Sequence, residues 1–134
     1  ILIRRSDRPS EEIGRFIGSS ALHCVLVDEA QFLEPRQVDD LFWFAVDTDV
    51  PVMAYGLRTD FQTVGFPGST RLLEIAHELQ ELKTICRCGK KAVFNVRKIN
   101  GTFVNEGSQV AIEGEAATEY ESLCAKCYKQ NVLQ

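Results

Sequence analysis

Two continuous hydrophobic runs lie in the first 83 residues of the chain. One is Cys24–Val27, within a predicted strand over residues 23–28, and the other is "VPVMAY", residues 50–55. Neither run alternates with polar residues, and a short run without alternation predicts a strand that is buried on both faces.

Helical spacing of apolar residues follows each run. A helix should begin at Pro35, because a proline at the first helical position lacks only an N–H that would have no partner there. Its apolar face would consist of Val38, Leu41, Phe42, Ala45 and Val46. A second amphipathic helix is predicted over residues 70–83. Its inward residues would be Leu72, Leu73, Ile75, Ala76, Leu79 and Leu82. A short helix over about residues 11–17 is a further candidate.

The order strand, helix, strand, helix predicts an α/β fold with parallel strands and crossover helices. Residues 84–134 differ, because "AVFNVRKINGTFVNEGSQVAI" is rich in β formers. Within that stretch Asn100-Gly101 predicts the turn of a hairpin. We therefore expect two domains, an α/β domain over residues 1–83 and a small β domain over residues 84–134.

Composition and charge narrow the class of protein. The chain has 134 residues, 45% of them hydrophobic and 25% charged, which is typical of a globular protein with a real core. The formal net charge of −4 argues against a broad phosphate-coating surface, so we expect no nucleic-acid partner. No apolar run reaches the roughly 18–20 residues that span a bilayer, and no signal-peptide pattern is present, so we expect no membrane partner.

Four of the five cysteines form two close pairs, and the fifth, Cys24, stands alone in an apolar run. The pairs are Cys86 and Cys88 in "CRCGKK", and Cys124 and Cys127 in "CAKC". Two thiolate pairs on separate turns supply the tetrahedral sulfur ligands that structural zinc prefers. With all four ligands from protein, no position is left for a reactive water, so we expect a structural zinc ion. A cytoplasmic protein with a metal site explains this distribution of cysteines better than a secreted protein does. The alternative is four unrelated buried cysteines.

Two adjacent carboxylates, Asp28 and Glu29, end the first hydrophobic run in "HCVLVDEAQF". At the carboxyl end of a parallel strand, side chains face the crevice where such sheets bind ligands. One carboxylate there can hold Mg²⁺ against nucleotide phosphates, while the other accepts a proton from a hydroxyl. The alternative is that the pair caps the next helix, whose first turn favours negative charge. The motif alone also does not separate a kinase from a helicase-like ATPase.

Further stretches resemble one family. "HCVLVDEAQF", "YGLRTDF", "ELKTICRCGKKA" and "CAKCY" occur in the order and at the spacing of the zinc-containing thymidine kinases of bacterial and cytosolic type. The resemblance covers nearly all of residues 23–128. It implies a P-loop (RecA-like) kinase core, of which residues 1–83 are the C-terminal part. It also implies that residues 84–134 form a zinc-binding lobe with a lasso loop over the nucleoside.

The resemblance also implies roles for particular residues. Glu29 matches the general base that takes the proton from the 5′-hydroxyl of thymidine, and Asp28 matches the acid associated with Mg²⁺. Ala30 and Gln31 complete the segment that binds ATP. Residues that match positions around the nucleoside are Phe32, Leu57, Phe61, Phe66, Tyr120 and the lasso residues Val110, Ala111, Ile112, Glu113 and Gly114. For Phe32, Leu57, Phe61 and Phe66 the alternative is ordinary core packing. The four paired cysteines match the zinc ligands.

Three features depart from the family pattern. Glu113 stands where a glycine is usual, and the lasso before Tyr120 is two residues longer. Cys127 takes a place that some members fill with histidine, which also binds zinc. The largest departure is that no G-x-x-x-x-G-K-[ST] motif occurs, and "GFPGST" lacks its lysine. Because the chain begins at Ile1, we expect that an N-terminal P-loop segment is missing and that these residues alone do not turn over ATP.

The resemblance implies that thymidine is the substrate, with deoxyuridine as a further possible one. It also implies that the protein is a homotetramer and that dTTP inhibits it by feedback. Two alternatives stay open. A helicase-like ATPase would use the same Asp28-Glu29 strand end. A non-enzymatic zinc-ribbon module would bind a partner through Lys90, Lys91, Arg97 and Lys98.

Overall fold

The computed structural model describes residues 1–107 and 118–133, which divide into two compact units. The first unit consists of Ile1–Arg58 and Phe66–Leu79. The second consists of Thr59–Gly65 and the described part of Gln80–Gln134. The domain boundary near Thr84 stays a prediction.

The first unit contains three α-helices, two strands and a 3₁₀ helix among its described residues. In chain order they are α1 (Pro9–Ile17), β1 (Val25–Val27), the 3₁₀ helix (Ala30–Phe32), α2 (Pro35–Thr48), β2 (Val52–Ala54) and α3 (Pro67–Ile75). Each α-helix begins with proline, at the position where the missing N–H costs nothing. The predicted start of α2 is confirmed, and α1 begins two residues earlier than the hydrophobic pattern suggested.

The two strands of this unit pair in parallel, with α2 as the crossover between them. This confirms the predicted α/β character, although the described sheet has only two strands. The prediction that both strands are buried on both faces is wrong. Leu26 and Met53 are register partners, and 66% and 43% of their surfaces are exposed. No described element covers the sheet face on which these two side chains lie.

The predicted extent of the last helix of this unit is also wrong. Helix α3 covers Pro67–Ile75, and the backbone becomes extended at Ala76, with ψ of 137°. Leu79 and Leu82, predicted to face inward, are 59% and 73% exposed. A short helix depends on burial of its apolar face, and the described residues provide no such burial beyond Ile75.

An aspartate of α2 fixes the start of α1. The Asp40 carboxylate accepts hydrogen bonds from the Ser10 backbone N–H at 2.8 Å and from its hydroxyl at 3.0 Å. Arg8 pairs with the same carboxylate at 2.9 Å. Burial of the carboxyl acts to raise its pKa, but the bonds from Ser10 and Arg8 outweigh burial, and the pKa is lowered. Asp40 therefore acts as an N-terminal cap supplied by a neighbouring helix.

The second unit is built on antiparallel strands and one helix. In chain order its elements are β3 (Thr84–Ile85), β4 (Lys91–Ala92), β5 (Phe94–Ile99), β6 (Thr102–Val104), β7 (Thr118–Leu123) and α4 (Ala125–Val132). Strands β3 and β4 pair with each other, and the other three form a sheet in the order β6-β5-β7. Its buried core consists of Cys86, Ala92, Val96, Leu123, Cys124, Tyr128 and Val132.

The hairpin predicted at Asn100-Gly101 is confirmed. These two residues join β5 to β6 and have φ of 50° and 79°. Two consecutive residues of positive φ are what a tight two-residue turn between twisted strands requires. Among the described residues, no helix is long and apolar enough to cross a membrane.

Candidate active site and metal centre

Asp28 and Glu29 lie directly after β1, where the chain turns into the 3₁₀ helix. Glu29 has φ of 51° and ψ of 38°, the left-handed conformation that non-glycine residues seldom adopt. Its backbone N–H donates to the Asp28 carboxylate at 2.9 Å. Such a conformation costs about 1–3 kcal/mol and concentrates at functional sites, so it favours a chemical role for this strand end.

The alternative that this pair caps the next helix does not fit the geometry. The residue that precedes α2 is Glu34, whose N–H donates to the Gln37 side chain at 3.0 Å. Glu29 precedes only the 3₁₀ helix, and its side chain makes no capping hydrogen bond there. Its carboxylate is exposed, as is that of Asp28. The pair is therefore presented to solvent beside the end of the strand.

Gln31 holds the Glu29 carboxylate and connects the ends of the two parallel strands. Its Nε2 donates to Glu29 Oε2 at 2.5 Å, and its Oε1 accepts from the Leu57 N–H at 3.1 Å. Only 2% of its surface is exposed. Next to it, the fully buried Ala30 donates its N–H to the Tyr55 carbonyl at 2.8 Å. Hydrogen bonds thus join the residues predicted to form the nucleotide site to the segment that follows β2.

Two glycines allow this strand end to be packed tightly, and sequence analysis did not single them out. A Cβ atom on Gly56 would lie 2.6 Å from Gln31 Oε1. A Cβ atom on Gly68, in the first turn of α3, would lie 2.3 Å from the Leu33 carbonyl oxygen. The hydroxyl of Ser69 then donates to the Leu57 carbonyl at 2.6 Å. In the sequence, Gly68 lies in "GFPGST" and Gly56 lies in "YGLRTDF".

Three residues predicted to surround the nucleoside belong to the first unit. Phe32 and Leu57 are 49% and 40% exposed, whereas Phe66 is buried. The rings of Phe32 and Phe66 meet edge to face, with centroids 5.7 Å apart. The structure therefore gives Phe66 a packing role and leaves apolar surface open on Phe32 and Leu57.

Two more predicted residues belong to the second unit. Phe61 is buried, with 2% exposure, and Tyr120 is 58% exposed. Arg97 lies between them, as its guanidinium carbon is 3.9 Å from the Phe61 ring centroid and 5.7 Å from that of Tyr120. The lasso residues Val110, Ala111, Ile112, Glu113 and Gly114 lie outside the described residues.

The four paired cysteines come together in the second unit, and their sulfur atoms all lie within 4.8 Å of one another. Cys86 and Cys88 lie in the turn between β3 and β4, where the Gly89 N–H donates to the Cys86 carbonyl at 2.8 Å. Cys124 precedes α4, and its sulfur accepts the Cys127 N–H at 3.5 Å. Four thiolates at Zn–S distances of about 2.3 Å have sulfurs about 3.8 Å apart. The Cys88 and Cys124 sulfurs, 3.6 Å apart, match that spacing, so the group fits a zinc ion.

The acidities of these thiols differ with their hydrogen bonds. Backbone N–H groups of Cys88 and Cys124 stabilise the Cys86 thiolate and lower its pKa to about 6. The backbone of Cys127 likewise lowers the pKa of Cys124. Hydrogen bonds with the Cys88 and Cys124 side chains raise the pKa of Cys127 to about 12. Cys86 and Cys124 are thus stabilised as thiolates, the form that binds metal, whereas the proton of the cluster is held at Cys127.

Comparisons with known proteins agree with this arrangement. Residues 5–128 match the family described as thymidine kinase. Relatives named thymidine kinase include proteins of Ruegeria pomeroyi, 49% identical over 115 residues, and of Chromobacterium violaceum, 49% identical over 106 residues. A third, from Mannheimia succiniciproducens, is 46% identical over 130 residues.

These alignments cover 85%, 78% and 96% of this chain. They cover 57%, 56% and 66% of the relatives, so the chain spans somewhat more than half of their length. The matched region contains the strand end, the aromatic residues and all four clustered cysteines. The chain belongs to the thymidine kinase family.

Proposed function

We propose that this protein is a thymidine kinase, which transfers the γ-phosphate of ATP to the 5′-hydroxyl of thymidine. The observation that carries the proposal is the Glu29 carboxylate, presented at the end of a parallel strand and held by Gln31 at 2.5 Å. The family match and the relatives' names support it. In this proposal the first unit is part of a P-loop core of the RecA-like kind.

The two carboxylates divide the chemistry. Glu29 accepts the proton of the 5′-hydroxyl as the oxygen attacks the γ-phosphorus, which is typically worth about 10²–10⁴-fold in rate. Asp28 would hold Mg²⁺, which neutralises charge on the phosphates when it is bound. Ala30 and Gln31 keep this segment at the strand end, since their hydrogen bonds reach the residues that follow β2. Separate carboxylates are needed because a metal-bound one is a poor base.

The family resemblance assigns apolar and aromatic side chains in each unit to the nucleoside. In the first unit, the exposed surfaces of Phe32 and Leu57 are available to a thymine ring, with Phe66 packed behind Phe32. In the second unit, the family resemblance assigns Phe61, Tyr120 and the lasso over residues 110–114 to the nucleoside.

The four-cysteine cluster would hold a structural zinc ion. All four ligands are protein thiolates, so the metal would join the β3–β4 turn to the start of α4. The core of the second unit is small, and a metal stabilises such a core when packing alone is insufficient. The proposal also includes a homotetramer, feedback inhibition by dTTP and acceptance of deoxyuridine, which rest on the family resemblance alone. It further includes a cytoplasmic location, which rests on the distribution of the cysteines.

A helicase-like ATPase is the second candidate, favoured only by the Asp28-Glu29 strand end. It predicts ATP hydrolysis that nucleic acid stimulates and thymidine does not affect, and it leaves the cysteine cluster without a purpose.

The non-enzymatic zinc-ribbon module has even less support as a candidate function, because three of its four supposed binding cations are buried or paired. Arg97, one of its four supposed binding cations, is 4% exposed. Lys91 and Lys98 form ion pairs with Glu81 and Glu121, each at 2.5 Å.

The test is transfer of labelled γ-phosphate from ATP to thymidine, deoxyuridine, deoxycytidine and deoxyadenosine, using the protein at its full encoded length. We expect thymidine to be the best acceptor, with transfer to the 5′-oxygen. ATP hydrolysis that is indifferent to every nucleoside would support the ATPase, and no consumption of ATP at all would favour the binding module.

A further inference from the structure

The loop Thr59–Gly65 belongs to the second unit, although the fourteen residues Phe66–Leu79 of the first unit separate it from the rest of that unit in sequence. It is closed on itself, since the Asp60 N–H donates to the Val64 carbonyl at 2.8 Å. The buried Asp60 carboxylate accepts the N–H groups of Gln62 and Val64, each at 2.9 Å. The loop is therefore a preformed turn with Phe61 near its start.

Tyr128 holds the backbone of this loop at Phe61. Its hydroxyl donates to the Phe61 carbonyl at 3.1 Å, and both side chains are buried. The Tyr128 ring is fixed by the core of the second unit, where it packs against Phe94 with centroids 4.9 Å apart. Tyr128 also follows Cys127 directly in α4, so the turn that carries two of the clustered cysteines determines where its hydroxyl lies.

Arg97 holds the side chain of Phe61. Its guanidinium lies over the Phe61 ring at 3.9 Å, within the range of a cation–π contact. Arg97 is opposite Tyr120 in the β5–β7 pairing, and its Nε donates to the Tyr120 hydroxyl at 3.2 Å. With 4% of its surface exposed, Arg97 is a buried planar group between two aromatic residues that the family resemblance assigns to the nucleoside.

We propose that Tyr128 and Arg97 are positioning residues for the nucleoside, Tyr128 by fixing the carbonyl of Phe61 and Arg97 by fixing its ring together with Tyr120. The inference rests on the proposed thymidine kinase function and extends it. Neither residue needs to contact thymidine or ATP. Their effect is on affinity for the nucleoside, because they keep two of its contact residues in one arrangement before it binds.

The test uses two conservative substitutions in the protein at its full encoded length. Tyr128→Phe keeps the buried ring and removes only the hydroxyl. Arg97→Lys keeps the positive charge and removes the planar, stacking guanidinium. For each, KM for thymidine, KM for ATP, kcat and the directly measured thymidine dissociation constant are compared with the unsubstituted protein. Arg15→Lys is the matched control, since the Arg15 side chain is exposed on α1 and pairs there with Glu11 and Glu12.

We expect each substitution to raise the thymidine KM and dissociation constant by about fivefold to tenfold, the effect of losing one hydrogen bond or one stacked contact. The ATP KM and kcat should change less than twofold, and the control should leave all four values unchanged. This split separates positioning of the nucleoside from a general loss of structure, which would also lower kcat.

Zinc content and thermal unfolding of each variant are measured alongside. Unchanged thymidine constants in both folded variants would overturn the inference, as would equal changes in the ATP and thymidine constants. If one variant does not fold, the other decides by the same criteria. Absence of thymidine phosphorylation in the unsubstituted protein is a different result, since it would refute the proposed function itself.

Discussion

The side-chain amide of Gln31 donates to the Glu29 carboxylate at 2.5 Å, and its carbonyl oxygen accepts the Leu57 N–H at 3.1 Å. A buried glutamine thus uses both ends of its amide to join the segment after β1 to the segment after β2. In the proposed kinase, the orientation of the general base depends on this amide.

Gln31→Met should therefore reduce turnover without removing the base. Methionine keeps the length of the side chain and loses both hydrogen bonds. We expect kcat to fall by about 10–100-fold, the range that displacement of a catalytic group by around 1 Å produces, with thymidine affinity little changed. Steady-state kinetics and thymidine binding check this, with Gln130→Met on the exposed surface of α4 as the control. A kcat equal to that of the control would show that Gln31 does not orient Glu29.

Gly68→Ala should destabilise the first unit. The added methyl group would lie 2.3 Å from the Leu33 carbonyl oxygen, so α3 must move away from the 3₁₀ helix. We expect a loss of about 1–3 kcal/mol in the free energy of unfolding. Gly14→Ala is the matched control, because nothing lies within 4 Å of its added methyl group in α1, and it should stabilise by up to about 1 kcal/mol. Denaturant unfolding measures both, and equal effects would contradict the close approach at Gly68.

Asp40 should make stability depend on pH in the acid range. Its pKa in the folded protein is lowered, from an ordinary value of about 3.9 in the unfolded chain. The stabilisation is therefore complete above about pH 5 and is lost as pH falls through the folded pKa. Asp40→Asn should cost about 1 kcal/mol at pH 7 and progressively less as pH falls from the unfolded pKa through the folded one. Asp47→Asn, exposed on the same helix, is the control, and a cost for Asp40→Asn that does not vary with pH would contradict this account.

The cysteine cluster predicts one zinc ion per chain. Cys124→Ser should abolish zinc binding and lower the melting temperature, since one ligand and the turn before α4 are both affected. Cys24→Ser should keep the zinc, because Cys24 lies outside the cluster. Elemental analysis of the purified variants, with thermal unfolding before and after chelation, decides between these outcomes. Full zinc content in Cys124→Ser would show that the metal site is elsewhere.

Features that depend on local chemistry were predictable from the sequence. Pro35 marks the start of α2, Asn100-Gly101 forms the predicted turn, and the two cysteine pairs come together as their spacing suggested. In each case the residue type itself dictates the backbone or the ligand. The parallel pairing of β1 and β2 followed from the alternation of strand and helix.

Features that depend on distant contacts were not predictable. Helical spacing continues to residue 83, yet α3 ends at Ile75 because Leu79 has nothing to pack against in the described residues. Leu26 is exposed because one face of the described two-stranded sheet is left open. The hydrophobic pattern did not predict this, since an uninterrupted apolar run is typical of a strand covered on both faces. Phe61 lies in the loop Thr59–Gly65, which belongs to the second unit, and its ring packs against Arg97. The sequence did not reveal this contact, because Arg97 follows the loop much later in the chain.

The central claim is that Glu29 removes the proton from the 5′-hydroxyl of thymidine. Its most direct test is the rate of phosphate transfer from labelled ATP to thymidine by Glu29→Gln at full encoded length, with thymidine binding measured on the same sample. Glu11→Gln, on the exposed side of α1, is the control. We predict a fall in kcat of about 10²–10⁴-fold with thymidine affinity nearly unchanged. Turnover of Glu29→Gln equal to that of the control would contradict the account.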